Sequence, residues 1–144
     1  MKYLFFSLLI IQFSQLNGQF VEPKFGKIEI SDLAMPVYAK DTTAGALILF
    51  NNGYSHFILN SDLEFQFLYE RHCAIKIFRK SAFDLADITI KLYQSGQKRE
   101  ELRGLKAFTY NLVDGKVEKS KVDNDKIYRA ESDNYLNVNF AFPE

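Results

Sequence analysis

The chain has 144 residues, 47% hydrophobic, 15% aromatic and 25% charged, with 18 basic residues balanced by 18 acidic ones. That balance excludes intrinsic disorder, and neutrality without a cluster of cations removes the electrostatic basis for nucleic-acid binding. A single cysteine excludes an intramolecular disulfide framework, so stability must come from the apolar core of one domain.

Residues 1–18 read as a signal peptide. Lys2 gives a positive start, Tyr3 to Phe13 is almost unbroken apolar sequence, and Ser14 to Gly18 is small and polar. An apolar run of about 11 residues is too short to span a bilayer as a helix. Cleavage after Gly18 leaves Gln19 first, although Leu16 fits poorly at −3; the alternative is an uncleaved N-terminal anchor. The expected location is outside the cytoplasm: the periplasm or surface of a Gram-negative-type bacterium, or secretion, with no stable membrane span once the leader is gone.

The β-rich domain, 19–144, opens with an extended lead-in broken by Pro23 and Gly26. Ser31-Asp32 starts one helical turn that Pro36 ends, and Asp41 to Gly45 is turn material. Ala46 to Phe50 reads as a short strand, Asn51-Asn52-Gly53 as a hairpin turn, and Tyr54 to Leu59 as the return. Asn60-Ser61-Asp62 then turns the chain into a long strand, Leu63 to Phe78. There Phe65, Phe67, Tyr69, Cys73, Ile75 and Ile77 share one parity, and Glu64, Gln66, Glu70, His72 and Lys76 share the other. This pattern predicts a greasy face toward the core and a wet face toward solvent.

Ser81 to Ala86 fits a single helical turn or a tight corner. Asp87 to Tyr93 alternates as a strand, with Ile88, Ile90 and Leu92 against Asp87, Thr89 and Lys91, and Gln94 to Glu101 reads as a polar loop. Leu105 to Leu112 and the lysine-rich Lys116 to Val122 flank Asp114-Gly115, a second hairpin signal. Asn124 to Glu131 is expected as a short helix, and Tyr135 to Phe142 as a closing strand. Strands about ten residues apart, joined by turns, predict an all-β, antiparallel, sandwich-like domain with one or two helical turns.

The candidate chemistry is thin. Cys73 and His72 are adjacent on a strand and so point to opposite faces, and nothing in the sequence fixes His56 near the thiol. Cys73 therefore reads as a small hydrophobe, and no catalytic residue is assigned. Asp123-Asn124-Asp125 lacks the glycine and glutamate of a calcium loop. No His/Cys cluster has zinc spacing, so neither metal nor cofactor is expected. Arg71 stands out on the apolar parity. It needs an acid from a neighbouring strand, a bulge that lets it out, or a ligand. Arg71, Tyr69 and Phe67 are the candidate binding residues.

Three blocks then carry a resemblance: YERHCAIKIF (Tyr69 to Phe78), LRGLKAFTYNLVDGKVEKSKV (Leu102 to Val122) and NVNFAFPE (Asn137 to Glu144). With the FGK lead-in, the VYAKDTTAGALIL segment and the FQFLYER strand, the chain resembles the N-terminal β-rich domain of unknown function of exported bacterial transglutaminase-like proteins. The resemblance implies a non-catalytic scaffold or recognition module whose Cys-His-Asp domain lies downstream, so that Cys73 matches no catalytic position. It also implies a module truncated at its C-terminal end, with a transglutaminase-like domain, or self-association through an open sheet edge, as its partner. A free-standing peptide- or glycan-binding β domain is the alternative.

Overall fold

The computed structural model describes residues 23–96 and 98–143; the leader 1–18 lies outside them. The architecture is all-β and sandwich-like, built from three antiparallel sheets. A one-turn helix α1 (Ile30–Ala34) precedes the strands, ending at Met35 before Pro36. It is followed by β1 (Ala46–Leu59) and β2 (Phe65–Ile77), a two-stranded ribbon. A 3-10 segment (Lys80–Ala86) leads into β3 (Asp87–Ser95), and β4 (Lys98–Arg99) folds back on it. Next come the hairpin β5 (Phe108–Val113) and β6 (Lys116–Lys121), then β7 (Tyr128–Ser132) and β8 (Tyr135–Ala141).

The central sheet has the order β4-β3-β8-β7. Its register sets Ile88 against Phe140, Ile90 against Val138 and Leu92 against Leu136, so the alternating apolar positions of both strands share one face. Val138 is fully buried, and Phe140 packs with Ala107 and Val122 and with the half-buried Ile88, Ile90, Leu105, Ile127 and Phe142. Ala107 precedes β5 and Val122 follows β6, and the two are joined by a backbone hydrogen bond. The second hairpin is thereby clamped over β8. Its turn has positive φ at Asp114 (49°) and Gly115 (74°), as a two-residue turn matched to strand twist requires.

Three expectations are corrected. Asn51-Asn52-Gly53 is not a turn, because β1 runs through it without a break and Gly53 pairs with Arg71. The chain reverses at residues 60–64, where the Asn60-Ser61-Asp62 turn was expected. There Asn60 Oδ1 accepts from the backbone N–H groups of Asp62 (2.9 Å) and Glu64 (2.8 Å), and Leu63 takes φ 61°. An asparagine that bonds its own following backbone stabilises this turn. Asn124 to Glu131 is a 3-10 turn (Asn124–Lys126) followed by β7, since Tyr128 to Ser132 find a ladder on β8. The polar loop at 94–101 is in part the tight β3–β4 hairpin.

Candidate functional site

The β1–β2 ribbon has two faces, and a bulge decides what each carries. Ile48 pairs with Ile75 but Phe50 pairs with Ala74, leaving Leu49 as the extra residue. Leu47 and Phe50 are thereby brought onto the same face, across from Lys76 and Ala74. That face is turned to the body of the protein. The His72 ring packs between Phe50 (4.7 Å) and Phe25 (5.2 Å), and Phe25 in turn meets Phe108 of β5 at 5.6 Å. Lys76 Nζ donates to the carbonyl of Leu33 at 2.7 Å, tying the ribbon to the end of α1. Partial burial pushes its pKa down, an effect that the nearby Asp32 opposes.

The opposite face carries, in cross-strand pairs, Leu59–Phe65, Phe57–Phe67, Ser55–Tyr69, Gly53–Arg71, Asn51–Cys73 and Ile48–Ile75. The parity expected from the sequence holds, but its direction is inverted. This apolar face is exposed, and the face of His72 and Lys76 is the one that packs. Phe57, Phe65, Phe67 and Tyr69 each expose between 59% and 77% of their surface. At ~150–250 Å² per aromatic side chain they present roughly 500 Å² of nearly contiguous ring surface. That is at the upper end of the largest patches on ordinary monomers, where patches are often functional. The Phe57 and Phe67 rings meet edge to face at 5.5 Å at the middle of this surface.

The candidate residues Phe67, Tyr69 and Arg71 thus lie in a row on one exposed face of β2. Arg71 has no acidic partner among the described residues, and the bulge of this ribbon lies elsewhere, between Ile48 and Phe50. Its Nε donates to Asn51 Oδ1 at 2.9 Å, and the terminal nitrogens have no partner among the described residues. Cys73 is exposed on the same face, while His72 is on the other. His56 pairs with Leu68 and so shares the side of His72. The ribbon therefore separates the thiol from both imidazoles. Among the described residues no three His, Cys, Asp or Glu side chains converge as a metal site requires, and no helix is long and apolar enough to cross a membrane.

Sequence reasoning missed a second feature, on the face of β5–β6 that carries Phe108, Tyr110 and Lys119. Lys119 of β6 lies over the Phe108 ring, 3.8 Å from its centroid. The signal was present: across an Asp-Gly hairpin, Phe108 falls opposite Lys121 and Tyr110 opposite Lys119. Comparison with models of protein families, with curated proteins and with solved structures finds no match to this chain.

Proposed function

We propose that this chain is a non-catalytic, exported accessory module that works beside a transglutaminase-like domain, and that the aromatic face of the β1–β2 ribbon is its contact surface. One observation carries the reading: four aromatic rings stand exposed on one face of a projecting two-stranded ribbon. From Gly53 to the tip, a length of about 20 Å, only Ile58, Asn60 and Leu68 are even half-buried. Apolar surface of this extent costs solubility unless something covers it, and exposed aromatics flanked by an arginine are typical interface anchors. The separation of Cys73 from His72 and His56 supports a non-catalytic role, and the sequence blocks at 69–78, 102–122 and 137–144 support the choice of partner.

The test is calorimetric titration of the chain with a transglutaminase-like domain taken from an exported protein that carries the same three blocks. Saturable binding that Phe57→Ser/Phe67→Ser weakens by at least about tenfold is expected. Absence of binding by the unaltered chain sinks the reading. The peptide- or glycan-binding alternative draws on the exposed Arg71 guanidinium, held by Asn51 through Nε alone among the described residues, beside Tyr69. It requires a ligand-dependent rise in melting temperature that Arg71→Ala abolishes.

A further inference from the structure

The lead-in and the second hairpin enclose an open cleft of about 440 Å³ lined by Phe25, Gly26, Lys106, Phe108, Lys119 and Lys121. It holds three ammonium groups. None has a carboxylate within ion-pair distance among the described residues, where the ion pair found is Arg103–Glu101, away from this cleft. Lysines on an edge strand ordinarily point to water and discourage strand addition. Lys119 instead lies along the hairpin face, its Nζ 3.8 Å from the Phe108 centroid and 5.5 Å from that of Tyr110.

A second observation is independent of charge. The Tyr110 hydroxyl is buried and has no hydrogen-bond partner among the described residues, which costs free energy that a folded protein rarely leaves unrecovered. A Cβ built at Gly26 would stand 3.8 Å from that hydroxyl and 3.7 Å from Lys119 Nζ. Gly26, at φ 79°, and Lys119 both line the cleft and lie beside the hydroxyl, which is itself behind that lining.

From these features we propose that the cleft is a binding site for a phosphate or sulfate monoester. The oxyanion sits between Lys119, Lys121 and Lys106, the ester's apolar body rests on Phe25 and Phe108, and Lys119 turns from the ring toward the oxyanion so that the Tyr110 hydroxyl behind it can donate as well. Ammonium groups are compact point donors suited to a tetrahedral, multiply charged oxyanion. A planar carboxylate is better served by the guanidinium fork that the cleft lacks. The site lies on a different element from the ribbon face proposed for a protein partner and stands or falls separately from it.

The probes are phenyl phosphate, phenyl sulfate, inorganic phosphate and benzoate, titrated into the full chain and followed by amide resonance shifts of Gly26, Phe108 and Lys119. The two phenyl esters are expected to saturate, to bind more tightly than inorganic phosphate or benzoate, and to weaken as salt is raised. Lys119→Ala/Lys121→Ala should weaken binding by about tenfold or more, and Lys80→Ala on the exposed 3-10 segment should leave it unchanged. Tyr110→Phe should weaken binding severalfold while leaving the melting temperature equal or higher, because it removes an unsatisfied buried hydroxyl. The proposal is overturned if no probe saturates, if the double lysine variant binds as the parent does, or if benzoate matches the esters.

Discussion

The ring of Tyr69 lies across Gly53 on the neighbouring strand. A Cβ at Gly53 would stand 2.8 Å from the Tyr69 hydroxyl oxygen and 3.0 Å from Cε2. Gly53 is thus a strand glycine kept open for an aromatic ring from the facing strand. Because the clash involves the free end of a side chain, Gly53→Ala should move the Tyr69 ring off the ribbon at a stability cost below about 1 kcal/mol. A changed tyrosine near-ultraviolet signal with a nearly unchanged melt checks this. A loss of several kcal/mol would mean that the backbone, not the ring, had to give.

Aromatic residues on the two sides of this protein should respond oppositely to truncation. Phe140→Ala removes a ring packed in the core with Ala107 and Val122 and should cost about 3–5 kcal/mol. Phe57→Ser/Phe67→Ser removes exposed rings, and should cost no more than about 1.5 kcal/mol while raising solubility and reducing self-association. Chemical denaturation gives the first quantity and sedimentation velocity the second.

Arg71 contributes little to folding. Its one bond, to Asn51 Oδ1, is exposed at 2.9 Å, so Arg71→Ala should lower stability by only about 0.5 kcal/mol in urea titration. A cost above ~2 kcal/mol would show that the guanidinium has a structural role after all.

The pH dependence has a sign for each shifted group. Lys76 is pushed below the ordinary lysine value, first by burial and with Asp32 opposing. Between its folded value and the ordinary one, the unfolded chain therefore binds more protons, and stability rises with pH across that alkaline window. Lys76→Met should remove this rise and also lose the bond to the Leu33 carbonyl, costing about 1–2 kcal/mol at neutral pH. In acid, the Thr43 hydroxyl first, then the Thr43 and Ala44 backbone N–H groups, with Arg79 adding a little, hold the Asp41 carboxyl below its usual value. Its contribution is present above the ordinary aspartate value and is lost as pH falls through the folded one. Melts of the parent, Lys76→Met and Asp41→Asn across the pH range check both limbs.

Periodicity and turn chemistry by themselves determined the all-β class, the alternation of Ile88, Ile90 and Leu92, the Asp114-Gly115 hairpin, and the opposed directions of His72 and Cys73. Each is local: alternation and turn chemistry act within a few residues of the chain. Only the tertiary structure decided which face of the β1–β2 ribbon meets the body. Alternation separates two faces but does not say which finds a partner, and here Phe25, Phe50 and the Leu33 carbonyl claimed the side of His72 and Lys76. The same holds for Gly53, whose missing side chain leaves room for a ring sixteen positions away, and for the lysine cleft, which exists because Phe25 folds back onto Phe108. The apolar stripe in the sequence was legible, but its exposure was not, because burial depends on which surfaces meet it in three dimensions.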